Sequence, residues 1–314
     1  MAEVIFLHMK RISTDSSPLF QAGILLAMMF VGLFISQLIA VFIFTAASAN
    51  PFENVVVDPL EQPVWALQAA QFFTAVFTFL LPAVITAWLC NTQPKTYLSI
   101  QAFPDIRILA VVCLSTLLLS PTVSLTGYFN SQMHLPESMA AIEEWMKSTE
   151  EVAEALVKKM MAGKGVVNFI INLFVIAVVA GVTEEFLFRG AFLHIIRQKI
   201  KNHHVAIWIV AILFSAIHLQ FYGFVPRMLL GAFLGYLVYW TNNIWVPVFA
   251  HFFHNAFAFI GMSSDSLKDN VIFTDEIAPE DIRWLSITAC ICLIAFVYCC
   301  KSIRRIAKNN TSFS

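Results

Sequence analysis

The 314-residue sequence predicts an all-α, polytopic membrane bundle of about eight transmembrane helices with a polar site inside it. Three observations lead there. The chain is 59% hydrophobic and only 12% charged, with 30 Phe and a mean hydropathy of +0.76. A soluble domain carries about 25% charged residues, so water is the wrong solvent for this composition. Apolar stretches of spanning length recur along the whole chain. Within one of them stand two adjacent carboxylates and an arginine, Glu184, Glu185 and Arg189, where a single charge costs roughly 3 kcal/mol even on the lenient insertion scale.

In chain order, the apolar stretches read as spans at about 21–46, 64–90, 106–129, 168–197, 204–222, 226–240, 244–262 and 284–300. The sixth is shorter than the ~20 residues usually needed to cross. The first seventeen residues hold Lys10 and Arg11 but no cleavable pattern. The apolar run from Gln21 is too long for a signal-peptide core, so the first span is expected to remain as an anchor. Pro82 and Pro121 are expected to kink the second and third spans. Residues 130–164 form the longest polar connection. There, acids alternate with Ile142, Trp145, Met146, Leu156, Val157 and Met160, the pattern of an amphipathic helix lying on the outer surface. In the sixth span, Gly231 and Gly235 make a small-xxx-small pair that admits a neighbouring helix. No segment is long enough for a separate soluble domain, so residues 1–314 read as one membrane-embedded domain.

A net charge of −1 conceals an asymmetry. Segments on the N-terminal side (1–20, 91–107, 197–204, 241–244 and 301–314) hold 11 Lys/Arg and 3 Asp/Glu. The opposite segments (46–63, 130–164, 222–227 and 263–283) hold 7 and 15. The basic split places both termini in the cytoplasm, since acidic residues count little in the positive-inside rule. Six cysteines show neither metal-type nor disulfide-framework spacing and read as packing residues. No nucleotide-binding glycine loop, internal repeat or nucleic-acid signature is present. The lipid bilayer is therefore the expected surrounding partner, and nucleic acid is not a partner.

The charged residues divide by geometry. Glu185 and Arg189 stand four apart in the favourable order and can neutralise each other on one helix face. Glu184, about 140° away from Arg189 by the ~100° helical step, has no partner nearby in sequence. Three later residues join it. His218 ends Phe214-Ser215-Ala216-Ile217-His218 in the fifth span, and His251 and Asn255 lie one turn apart in the seventh. Counted at ~1.5 Å per residue from the basic turns, Glu184 and His218 both sit about 20 Å deep, and His251 and Asn255 about 11 and 17 Å, a common slab nearer the outer surface. A carboxylate held out of bulk water can act as a base toward a bound water, with an imidazole beside it to position that water. A second imidazole and a carboxamide supply donors for charge developing on a carbonyl oxygen. These are the parts for hydrolysing an amide without a serine or cysteine nucleophile. Other histidines read differently: His194 as a core residue, His203 and His204 as boundary residues. His254 also reads as core, although it shares a face with His251 and could join the cavity. Tyr222 and Arg227, near the outer mouth, have no motif that assigns them a role.

Glu-Glu-x-x-x-Arg (184–189), Phe-x-x-x-His (214–218) and His-x-x-x-Asn (251–255), in this order on successive spans, resemble the CPBP family of intramembrane endopeptidases. This is the CAAX-protease and bacteriocin-processing group. The resemblance covers about 165–262 and makes that region the catalytic core, with 130–164 as a polar amphipathic connector. It implies Glu184 as the residue activating water with His218, and His251 and Asn255 as the oxyanion hole. Glu185 and Arg189 would be the supporting pair. It implies a metal-free, cofactor-free enzyme acting on a membrane-associated peptide or protein, lipidated or not. Two alternatives stay open at this point. Glu184, His218 and His251 also suit zinc, leaving one open position. Intramembrane carboxylates also line the paths of transporters, and a non-enzymatic binding protein can use the same scaffold.

Overall fold

The computed structural model describes residues 16–47, 58–274 and 277–311. Lys10 and Arg11, used in the charge argument, lie outside the described residues. Among those described there is no strand, and nine long helices follow one another. They are α1 (Pro18–Ala47), α2 (Val64–Cys90), α3 (Ile106–Ser131), α4 (Ala140–Met161), α5 (Val166–Lys199), α6 (His203–Ala216), α7 (Phe224–Thr241), α8 (Trp245–Ser263) and α9 (Pro279–Thr311). Setting α4 aside, eight helices coincide with the eight expected spans. Six are long and apolar enough to cross a membrane: α1, α2, α3, α5, α7 and α9. The other two expected spans, α6 and α8, fall short of that length and apolarity. Helix α6 is only 14 residues and ends at Ala216, six short of the expected limit. Helix α8 is 19 residues long, but His251, His254 and Asn255 dilute its apolarity. The protein is an integral membrane helical bundle, and α1 and α9 turn Phe30, Phe34, Phe42, Ile291 and Ile294 outward as a lipid-facing surface must.

Local signals set the boundaries. Asp105 caps α3 through the Arg107 N–H, and Asn202 caps α6 through the N–H groups of His204 and Val205. Asn242 ends α7 in a left-handed conformation, φ 46°. A widened π turn at Val76–Leu80 immediately precedes Pro82, and α2 continues past the proline to Cys90. Helix α3 runs on through Pro121. Arg227, counted from sequence with the outer segment 222–227 as well as at the start of the span 226–240, lies inside α7, which begins three residues earlier.

Packing follows the small residues. A Cβ on Gly231 would stand 3.3 Å from the Ala211 Cα, and one on Gly235 2.8 Å from Ile207, so α6 seats directly against α7 as the pair predicts. Helix α5 contacts α8, while α3 lies against α7, α8 and α9. Connector α4 is the amphipathic helix expected. Leu156 and Met160 join an apolar cluster with Phe44, Leu67 and Val175. Its C-terminal carbonyl at Met160 accepts from Asn172, which in turn accepts from Gln68. Its first turns are tied by Glu143, which accepts from the Leu135 N–H. Lys147, then His134, beside that carboxyl hold its pKa down to about 2.

Candidate active site

The polar slab lies where α5, α6, α7 and α8 meet. Helix α5 carries both glutamates on a short α segment, Ala180–Glu185, between two widened π turns, Phe174–Val179 and Phe186–Phe192. Such turns are frequent at functional sites, because they free backbone carbonyls and re-aim side chains. The close approach that brings α8 to this segment depends on Gly181. A Cβ there would be 3.1 Å from the Phe252 N and 3.3 Å from the Val248 O, both backbone atoms. Gly181→Ala is therefore expected to destabilise the fold by about 1–3 kcal/mol through overpacking. It should also lower turnover by pushing Glu184 away from His251. Thermal unfolding in detergent beside an activity assay checks both effects.

The sequence pairing of Glu185 with Arg189 is present: Nη1 donates to Oε1 at 2.7 Å, with both side chains fully buried. Arg189 Nη2 donates to the Gly231 carbonyl at 2.7 Å, and the guanidinium lies 4.6 Å from the Phe214 ring centroid. Sequence reasoning missed a further bond. His251 Nδ1 is 2.8 Å from the same Glu185 Oε1, so the supporting glutamate also orients the imidazole on α8. Because the carboxylate can only accept, Nδ1 carries the proton. Glu185 is thus a hinge between two helices as well as a counter-ion.

Glu184 is the unpaired glutamate. Its Oε2 lies 3.8 Å from His218 Nε2 and 3.8 Å from His251 Nε2, too far for direct hydrogen bonds. His218 sits just beyond α6, in the turn after Ala216, and not within the helix as expected. The shortened helix lets its Nδ1 reach back to the Phe214 carbonyl at 2.7 Å. A carbonyl only accepts, so Nδ1 is the donor and Nε2 presents a lone pair toward Glu184. Asn255 Nδ2 donates to the Ile176 carbonyl at 3.0 Å, within the first π turn. That anchors the carboxamide and leaves its second N–H unspent.

These residues share one cavity of about 270 Å³, lined by Glu184, Phe214, His218, His251, Asn255 and also His254 and Arg227. Four expected residues thus come together, and His254 joins them as its face-sharing with His251 allowed. His194 lies elsewhere, stacked on Tyr97 with centroids 3.9 Å apart. His203 stacks on Tyr239, and His204 Nδ1 meets the Tyr236 hydroxyl at 2.6 Å. Among the described residues, no group of three or more His, Cys, Asp or Glu is arranged to hold a metal ion.

Residues 166–257 match the family described as Rce1-like, type II CAAX prenyl endopeptidase, a stretch containing all three motifs. The CAAX-protease resemblance drawn from those motifs is borne out at that level. A curated protein, "Uncharacterized protein YpbD" of Bacillus subtilis (strain 168), is 25% identical over 151 residues, which cover 45% of this chain and 73% of the relative. No solved structure matches the chain.

Proposed function

We propose that this integral membrane protein, with its Rce1-like region at 166–257, is a metal-independent, glutamate-type intramembrane endopeptidase acting on a membrane-associated peptide or protein. The single observation that carries the reading is the Glu184 carboxylate facing two imidazole Nε2 atoms, each at 3.8 Å, inside a cavity within the bundle. Those separations suit one water bridging the three groups, since such a molecule needs two to four polar partners.

In this reading, the water donates one hydrogen bond to Glu184 and one to the His218 Nε2 lone pair. Glu184 takes its proton as the oxygen attacks the scissile carbonyl carbon. The new C–O bond pushes the carbonyl electrons onto oxygen, and the oxyanion is met by the second N–H of Asn255 and by His251. His251 donates through Nε2 only when doubly protonated, because its Nδ1–H is already committed to Glu185. Collapse restores the carbonyl, breaks the C–N bond and passes the proton from Glu184 to the departing amine.

The charge asymmetry supports cytoplasmic termini. The side of the bundle bearing α4 and the Phe221–Gly223 turn is then the outer one. In that orientation the catalytic cavity adjoins, on the outer side, a second cavity lined by Glu150, Glu154 and Tyr222, and α4 packs on the same turn through Trp145 against Phe221 and Glu150 against the Tyr222 N–H.

The decisive assay is mass spectrometry on purified protein in nanodiscs, incubated with membrane-anchored peptides, prenylated and unprenylated, in heavy-oxygen water. New termini with label in the released carboxyl are expected. Solute flux in vesicles without any peptide cleavage would instead place the protein among transporters. Strong chelators such as phenanthroline are expected to leave turnover unchanged. Loss on chelation, restored by zinc, would transfer Glu184, His218 and His251 to the role of metal ligands.

A further inference from the structure

We propose that Arg227 is a specificity-determining residue that binds a carboxylate of the substrate, in a subsite formed where the catalytic cavity meets a second one. The proposal rests on the endopeptidase reading above. The second cavity, of about 370 Å³, shares Val123, Gly223, Pro226 and Arg227 with the catalytic one, so a chain passing between them must pass this guanidinium.

Arg227 stands in α7, one of the spanning helices, and is partly buried. Its hydrogen bonds among the described residues go to neutral acceptors on one residue: Nη2 to Gln220 Oε1 at 2.6 Å and Nη1 to the Gln220 carbonyl at 3.3 Å. No carboxylate comes within 4 Å of it among the described residues. The other arginine of the bundle interior shows the usual solution, a carboxylate at 2.7 Å. Glu150 and Glu184 act on this partly buried cation only from beyond 4 Å, so its charge is balanced at a distance and its guanidinium edge is not closed by a contacting carboxylate. Gln220 fixes the planar fork, while the guanidinium has five N–H donors, enough to offer a carboxylate a two-point contact.

The rim of the second cavity argues against a free anion as the occupant. Glu150 and Glu154 of α4 line it, and Glu150 is held in place by the Tyr222 N–H at 2.9 Å. A small anion would have to pass two like charges. A carboxylate carried on a peptide whose scissile bond already sits at Glu184 is delivered to Arg227 by the chain itself, as an intramolecular event. The carboxylate can be a chain terminus or an acidic side chain, and experiment separates them.

The test uses the wild-type protein in nanodiscs and paired peptides of one sequence. One pair differs in a free C-terminal acid against the amide. The other pairs exchange Glu for Gln, moved residue by residue along either side of the scissile bond. One acid member is expected to be preferred by roughly tenfold in kcat/KM, mostly through KM, as a charge-assisted two-point contact provides. The identity of that pair names the source of the carboxylate. Arg227→Gln should collapse the acid-to-neutral ratio to about unity, and Arg227→Lys should retain part of it. Equal kcat/KM across every pair in the wild type overturns the proposal without recourse to any variant. So does an Arg227→Gln protein in which acid and neutral peptides slow by the same factor, a result that assigns Arg227 to the electrostatics of Glu184. Cleavage of neutral peptides without acid preference removes only the Arg227 assignment. Absence of cleavage of any peptide removes the endopeptidase reading and this subsite with it.

Discussion

Glu184→Gln is expected to reduce peptide cleavage by about 10²–10⁴-fold, the usual contribution of a positioned general base, while leaving the protein folded. The substitution keeps the side chain's shape and its ability to accept a hydrogen bond. It removes the carboxylate that takes the water's proton in this reading and leaves the His218 Nε2 lone pair, whose Nδ1 is held by the Phe214 carbonyl, as the water's remaining acceptor. Stability should change little, because Glu184 makes no hydrogen bond shorter than its 3.8 Å approaches to the histidines. In the free energy of the reaction the loss belongs to the transition state, so kcat should fall with KM nearly constant. His218→Ala is expected to cost less, since it leaves the base and removes only one of the water's partners. Turnover in Glu184→Gln within a few-fold of wild type, in protein with an unchanged unfolding midpoint, would remove Glu184 from the chemistry.

The sequence made some of this legible because hydrocarbon penalises polar groups so heavily. Glu184, His218, His251 and Asn255 stood out against apolar neighbours, and i,i+4 spacing alone paired Glu185 with Arg189. Depth counting from the basic turns anticipated that three separate helices would bring their polar groups to one level. What escaped were features fixed by deviations from ideal geometry. The π turns flanking Ala180–Glu185 have no sequence signature readable from periodicity, yet one of them places the Ile176 carbonyl under Asn255. The early end of α6 at Ala216 puts His218 in a turn, and the apolar run gave no sign of it because Ile217 and Leu219 continue the pattern. The bond from Glu185 to His251 spans 66 positions and two helices, so local spacing could not reveal it. Arg227 fell at the boundary, counted with the outer segment 222–227 and also within the span 226–240, and no motif assigned it a role. Its position one turn inside α7 makes it a lining group of both cavities.

The shared Glu185 oxygen leads to a prediction that separates stability from activity. Glu185→Leu alone leaves Arg189 buried as an unpaired cation, a change that costs about 3–5 kcal/mol, and Arg189→Met leaves the carboxylate equally stranded. Either single variant should lower the unfolding midpoint in detergent steeply or fail to accumulate. The double variant Glu185→Leu/Arg189→Met removes both charges from a site where each side chain is fully buried. Replacing a buried pair with apolar residues of similar size is often close to neutral, so much of the stability should return, less the bond from Arg189 to the Gly231 carbonyl. Turnover should not return with it. His251 would have lost the acceptor that fixes its ring, and the oxyanion would face an imidazole free to rotate. A double-mutant cycle in both observables checks this, with a large favourable coupling in stability and little or none in kcat. Full recovery of kcat alongside stability would reduce Glu185 to a counter-ion and leave His251 without the orienting role that this bond assigns to its partner.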